Sequence, residues 1–285
     1  MQIRDYYYRK PTINCGDHLE IEGINREDYA NAQYLEIAPE IVLDRPTAVL
    51  YAGGVGIQQS ESRDVTSVSK RVRGTVDYQK STMLIKEISA YALHKWVGHM
   101  QNNEHVVYAN VNHNTCASSM FSLYEAERLL DSGEAEEVII IAEERTSFNT
   151  IRIFKEHAIP LTVGDGFAIV RLWKEEGVTI SETKWKYEYN RNPFGATISG
   201  YAKVDGKADI IKPHGTNTGN NNAAEVELVK DREAVYYKKE IGHTQGASAL
   251  LEVCMAIEDE EVKGRVLCVA SGLGGFYGSC ILEKD

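Results

Sequence analysis

Cys116 stands where a strand-like run gives way to a helix-like one. Residues 106–111 are β-branched and aromatic and read as a buried strand, residues 112–115 make a polar turn, and apolar positions at Leu123, Ala126, Leu129 and Leu130 recur at helical spacing up to Gly133. Free N–H groups and the positive end of the dipole at a helix start favour a thiolate there, so nucleophilic chemistry is open to Cys116. A buried structural thiol fits the same residues. Two of the eight histidines occupy comparable junctions: His214 follows the strand-like residues 208–212, and His243 precedes a helix rich in small residues over 244–256. Ligands gather at such junctions in α/β folds, although a structural hydrogen bond is the alternative reading for each imidazole. Cys116 has no second cysteine nearby, so these groups do not make a zinc set, and neither a metal nor a cofactor is expected.

The elements that must position these groups repeat one plan. Residues 47–52 form a clear strand, residues 81–97 an amphipathic helix, residues 137–142 and 167–172 two further strands, so the first half reads as β-α-β with a mostly parallel sheet. Gly53-Gly54-Val55-Gly56 lacks dinucleotide-binding spacing and any Gly-Lys-Ser end, and reads as a tight turn. Residues 58–80 are polar and rich in serine and basic groups, either a ligand-covering loop or a solvated surface. Residues 1–46 are less regular: 3–8 is strand-like, and 27–41 is partly helical with Pro39 limiting it. Asp165, between Gly164 and Gly166, is read as a structural turn residue.

The second half begins near Val178. It predicts an edge strand over 179–189, a turn at 192–195, a strand at 208–212, a helix over 223–230 capped by Asn222, a short strand at 235–237, and strands at 266–271 and 277–282 around Gly272-Leu273-Gly274-Gly275. The expected boundaries are therefore residues 1–172 for the half with the nucleophile and 173–285 for the half with both histidines.

With 43% hydrophobic and 26% charged residues, the 285-residue chain can bury a large core. Its formal net charge of -11 argues against nucleic acid or an anionic membrane as partner, but not against a small anionic substrate. No apolar run approaches the roughly 18 residues of a membrane span, and no signal peptide opens the chain. The five cysteines are dispersed without a C-x-x-C pair, which implies reduced thiols and a cytoplasmic location.

Three separated segments carry a family resemblance. Asn114-Thr115-Cys116-Ala117-Ser118-Ser119 resembles the nucleophile motif of the β-ketoacyl-acyl-carrier-protein synthases, within the thiolase-like superfamily. Pro213-His214-Gly215-Thr216-Asn217-Thr218-Gly219, with Glu225 beyond, resembles their His-Gly-Thr-x-Thr motif, and the segment from Lys238 through Gly242-His243 to Gly246-Ala247 resembles their Lys-Ser-x-x-Gly-His-x-x-Gly-Ala motif. Gly164-Asp165-Gly166 and Gly272-Leu273-Gly274-Gly275 match family turns. The resemblance implies a thiolase-like α/β fold: duplicated halves in a five-layer αβαβα arrangement, and dimers whose central strands, here 106–111, pair across the interface.

The resemblance also implies roles. Cys116 would be acylated from an acyl-carrier-protein or coenzyme A thioester. The backbone N–H groups of Cys116 and Leu273 would form the oxyanion hole. His214 and His243 would stabilise the enolate formed when a malonyl unit loses carbon dioxide. Lys238 and Glu225 would set local charge and histidine orientation. The Cys-His-His set resembles the elongating kind of condensing enzyme, since the initiating kind usually has asparagine for the second histidine. The departures are a short stretch between Leu172 and Ala208, Lys239 for a serine, Asn222 for an aspartate, and Leu273 for a gating phenylalanine. They imply a small, divergent member, in a specialised polyketide or lipid-like pathway. The expected function is decarboxylative condensation. The alternatives are acyl transfer to an amine, alcohol or water by the same site, and a non-catalytic partner subunit. The partners expected are the thioester carrier and a second copy or related synthase.

Overall fold

The computed structural model describes residues 1–24, 34–53, 78–146, 148–156, 160–191 and 195–284. Most of the turn read at 53–56, most of the polar segment at 58–80, and most of the turn at 192–195 lie outside the described residues.

Among the described residues, ten strands make one sheet from two sets with the same internal order. The first set comprises β1 (Gln2–Arg9), β4 (Thr47–Ala52), β5 (Val106–Asn112), β6 (Glu137–Glu144) and β8 (Gly166–Trp173). The second comprises β9 (Val178–Tyr187), β10 (Ile210–Lys212), β11 (Glu233–Ala234), β12 (Gly264–Gly272) and β13 (Phe276–Lys284). Across the sheet the order is β11-β10-β12-β13-β9-β1-β8-β6-β4-β5. Within each set, the strand second in sequence pairs in parallel with the third and fourth, and the fifth runs antiparallel between the fourth and the first. The sets meet where Gln2 and Ile3 of β1 pair with Thr179 and Val178 of β9. A small three-stranded sheet adds β2 (Ile13–Asn14), β3 (His18–Glu20) and β7 (Val163–Gly164).

Alternation along the strands sorts their side chains into layers. Ala48, Leu50 and Ala52 face a central core together with Val266, Cys268 and Ala270 of the other set. Between them lie α2 (Ser118–Ser132), through Met120, Leu123, Ala126 and Leu130, and α7 (Ser248–Glu258), through Leu250, Leu251, Val253 and Cys254. On the opposite face of the first set, Val49, Tyr51, Ile139 and Ile141 pack against Ala92, Leu93 and Trp96 of α1 (Tyr78–His99). On the opposite face of the second set, Ile211, Leu267, Val269 and Ile281 pack against α4 (Ile198–Ala202) and α5 (Gly219–Val229) through Tyr201, Ala224 and Leu228. The result is helix, first strand set, helix pair, second strand set, helix: the duplicated five-layer arrangement expected. The five-residue α4 occupies the short stretch between Leu172 and Ala208.

Several local expectations are corrected. Among the described residues the run at 106–111 is an edge strand, with Val107 54% exposed and β4 as the neighbour of β5. The strand starting near Thr179 is internal, at the seam between the sets, where β1 covers its free side. Asn222 does not cap its helix. Thr218 precedes the first turn, and Asn222 N–H already donates to Thr218 O at 2.8 Å. The residues read as a strand at 235–237 lie beyond β11, and the next four form the helical turn α6 (Lys238–Ile241). Of the helical character read over 27–41, the described residues keep only a 3-10 turn at Leu35–Ile37. Tyr6 and Tyr8 pack on the central core and Tyr7 on the outer one, its hydroxyl donating to Ile37 O.

Candidate active site

The N-termini of α2 and α7 face each other across the central layer, and the reactive groups lie between them. β5 ends in buried Asn112, whose Nδ2 donates to Ser122 Oγ at 2.9 Å and Glu125 Oε2 at 2.7 Å. The chain then turns through Thr115, a β-branched residue held at φ 53°, a left-handed conformation that such side chains rarely adopt. Backbone strain of this kind concentrates at functional sites. Ser118 Oγ accepts from Asn114 N–H at 2.8 Å and donates to Thr115 O at 2.7 Å, fixing the 3-10 turn Thr115–Ala117. Cys116 is thereby presented at the mouth of α2.

His243 arrives from the other half. Gly242 (φ 71°) makes the turn after α6, and a Cβ there would stand 2.7 Å from Thr162 O. His243 N–H donates to that same carbonyl at 2.7 Å and its own carbonyl accepts from Gly164 N–H at 3.2 Å, so β7 clamps the backbone. The ring Nε2 lies 3.2 Å from Cys116 Sγ, and Nδ1 lies 3.3 Å from Ser248 Oγ. His214, at the end of β10, places its ring 5.6 Å from that of His243 at 86°. Among the described residues its buried Nδ1 has no hydrogen-bond partner. All three sequence-derived candidates therefore converge.

The Gly272-Leu273 turn closes the site from the β12–β13 hairpin. A Cβ on Gly272 would stand 2.5 Å from Asn114 O and 2.6 Å from Thr115 Oγ1, so only glycine allows this approach. The side chain of Leu273 is 40% exposed. An open groove of about 880 Å³ runs beside the centre, bordered by Asn14, Leu19, Thr162, Glu225, Lys238 and Gly242.

No protein-family model and no curated protein sequence matches the chain. Solved structures do match. A beta-ketoacyl synthase from Burkholderia phymatum STM815 superposes with a TM-score of 0.69 at 12% identity, covering 100% of this chain and 93% of that one. The ishigamide ketosynthase/chain length factor gives 0.69 at 15% identity over 98% and 92%. A chain from a complex of a type II PKS acyl-carrier protein with its ketosynthase, bound to the hexaketide, gives 0.67 at 12% identity over 85% and 78%. This chain has the thiolase-like ketosynthase fold.

Within this ketosynthase fold the two halves are near copies even at the site. His113-x-x-Cys116-Ala117-Ser118 and His243-x-x-Gly246-Ala247-Ser248 share their spacing, and Thr115 and Gln245 share positive φ values of 53° and 46°. One copy keeps the thiol and the other has glycine, and the imidazole of the second reaches the sulfur of the first. This echo is visible in the sequence, but only when the halves are aligned on their Ala-Ser pairs.

Two sets of charges lie behind the site of this ketosynthase fold. Lys238 forms a close buried ion pair with Glu252, and Lys212 Nζ holds the other oxygen of that carboxylate at 2.8 Å. Glu225 instead accepts from Gly215 N–H at 2.8 Å and from Tyr201 OH at 3.1 Å, bracing the turn after His214. Sequence reading missed Glu252 and Lys212. The available signal was a charge inside each of two apolar runs, Leu250-Leu251-Glu252-Val253 and Ile210-Ile211-Lys212.

Burial dominates the proton affinities. It pushes the Cys116 thiol up to about 12, with Glu144 adding to the shift and Lys238 opposing it. Burial also holds His243 and His214 well below the ordinary imidazole range, and Lys238 adds to both effects. The resting pair at neutral pH is thus a thiol beside a neutral imidazole. The helix start does not suffice to make a thiolate, because loss of water around the sulfur outweighs it.

Proposed function

We propose that the protein is a β-ketoacyl-synthase-like acyltransferase that condenses a cysteine-bound acyl group with a malonyl-type unit. The observation that carries this reading is the 3.2 Å contact of His243 Nε2 with Cys116 Sγ, with His214 as a second buried imidazole beside it. As Cys116 sulfur attacks the carbonyl of an acyl thioester, its proton passes to His243 Nε2. The N–H groups of Cys116 and Leu273 receive the developing oxyanion. Collapse expels the carrier thiolate, which takes the proton from His243, leaving an acyl-cysteine and two neutral imidazoles.

A malonyl-type thioester then binds with its carbonyl oxygen facing His214 and His243. Loss of carbon dioxide leaves an enolate that accepts a hydrogen bond from the His214 N–H, and from His243 Nε2 once the neutral His243 ring has exchanged its proton from Nδ1 to Nε2. The enolate carbon attacks the acyl-cysteine carbonyl, the new C–C bond forms as the C–S bond breaks, and the Cys116 thiolate recovers a proton from solvent. Lys238, paired to Glu252, keeps the imidazoles neutral and eases charge onto the sulfur. Glu225 holds the turn that carries His214.

The likeness to ketosynthase complexes supports an acyl carrier protein, or coenzyme A, as thioester donor and a second copy or related synthase as partner. The exposed β5 edge is the surface proposed for that pairing. Transfer of the acyl group to an amine, alcohol or water would use the same first step. A purely structural partner role is disfavoured by the intact Cys116–His243 contact.

The deciding experiment is intact-mass analysis after incubation with a panel of acyl-carrier and acyl-coenzyme A thioesters, beside a Cys116→Ala control. An adduct absent from the control, discharged to a ketoacyl product on adding malonyl thioester, supports condensation. Discharge without carbon dioxide release would replace condensation by plain transfer. No adduct with any donor on folded protein would overturn the acyl-enzyme reading.

A further inference from the structure

The β2–β3 hairpin concentrates metal-ligating groups away from the reactive cysteine. His18 and Glu20 are two apart on β3 and therefore project from the same face. Across the turn, Cys15 N–H donates to His18 O at 3.0 Å, which sets Cys15 opposite His18. Gly16, at φ 91°, supplies the left-handed residue that lets so short a turn close. As a result one ligand atom from each of Cys15, His18 and Glu20 lies within 4.8 Å of the other two.

The imidazole is also oriented as a ligand would be. Asp17 Oδ1 lies 2.7 Å from His18 Nδ1, which fixes the ring and directs Nε2 toward Glu20 Oε1, also at 2.7 Å. Lys155 Nζ donates to the other oxygen of Asp17 at 2.7 Å and holds that carboxylate in place. A carboxylate on the far nitrogen of a histidine is the usual support of a metal-bound imidazole.

We propose that this hairpin is a zinc site, with Cys15 Sγ, His18 Nε2 and one Glu20 oxygen as ligands and water in the fourth position. A thiolate, an imidazole and a carboxylate suit a borderline-soft tetrahedral ion better than magnesium or calcium, which take oxygen ligands. On binding, the Cys15 thiol releases its proton to solvent, and the His18–Glu20 hydrogen bond gives way to two bonds to the metal. The role is structural. β3 pairs with β7, β7 clamps the His243 backbone, and Asn14 and Leu19 border the groove, so the ion would stiffen one wall of the site.

The test uses the full chain, reduced and stripped of metal, titrated with Zn²⁺ by calorimetry and with Co²⁺ by absorption. One equivalent should bind, and cobalt should show a thiolate charge-transfer band with the intense visible bands of tetrahedral coordination. Cys116→Ala should retain both signals. Cys15→Ser, at an exposed position that leaves the fold intact by circular dichroism, should lose the charge-transfer band and the stoichiometric site. His18→Gln should lose the stoichiometric site as well, and Asp17→Asn should weaken binding about 10- to 100-fold. Failure to bind one equivalent, binding unchanged in Cys15→Ser, or binding abolished by Cys116→Ala would each overturn the assignment.

Discussion

At the scale of single residues, the contact between Cys116 and His243 makes a kinetic demand. The thiol is held up to about 12 by burial, so its alkylation by iodoacetamide should climb about tenfold per pH unit from roughly pH 7 to 10 without a plateau. A rate that levels off above about pH 9 would show an ordinary thiol. Because the Lys238 charge opposes the shift, Lys238→Met should slow alkylation severalfold at fixed pH, read by intact mass against time. His243→Ala removes the proposed base and should lower the acylation rate by about 10²–10⁴ while leaving Cys116 in place. The unexpected residue is Glu252. It satisfies two buried lysines at once, and removal of one member of a buried ionic group typically costs about 3–5 kcal/mol. Glu252→Gln should lower the midpoint of chemical denaturation accordingly, whereas a loss under about 1 kcal/mol would mean that the lysines find other partners.

At the scale of elements, the site is a meeting of two helix starts and one hairpin turn. Gly272→Ala should push the Leu273 turn away from Asn114, depressing turnover far more than thermal stability, as paired activity and melting measurements would show. Much at this scale was legible. Cys116 sits at a strand-to-helix junction, His214 just past a strand and His243 just before a helix, and those places have local signatures of β-branched runs, polar or glycine turns, and small residues. The non-local features were not legible. Nothing in residues 106–111 distinguishes an edge strand from a buried one, because exposure depends on which strand lies beside it. Thr179 reads as an edge for the converse reason, since its cover, β1, begins the chain. The Lys238–Glu252 pair was not legible, because Glu252 reaches Lys238 only through the placement of α7. The Cys15-x-x-His18-x-Glu20 spacing holds a single cysteine, so it carries no cysteine-pair signature.

At the scale of the molecule, two buried imidazoles tie stability to pH. His214 and His243 have folded-state affinities well below their unfolded ones, so below about pH 6.5 the unfolded chain binds more protons and is favoured. Stability should therefore fall on acidification through that window, by about 1.4 kcal/mol per pH unit for each histidine until it titrates in the folded state. Melting temperatures from pH 5 to 8 would check this, and His214→Gln should reduce the slope. A slope unchanged in that variant would remove His214 as a source. The β5 edge predicts association, since an exposed, regular edge strand invites pairing and a charge on it discourages pairing. Sedimentation should give a dimer for the native chain and a shift toward monomer for Val107→Lys.

The order of strands within each half has a further consequence for how the polypeptide is made. β1 leaves the ribosome before the rest of its set, but its long partner β8 follows only after β4, β5 and β6, and β9 likewise waits for β13, the last strand of its set. Each half is thus closed by pairing its earliest strand with its latest, a high-contact-order arrangement that is slow to form and leaves sheet edges bare in the interim. Vectorial synthesis therefore exposes β1 for most of the making of the first half and β9 for most of the second. A nascent chain stalled before Phe276 would present β9 and β12 without the strand that belongs between them, which makes that late hairpin the step at which chaperone assistance has most to offer.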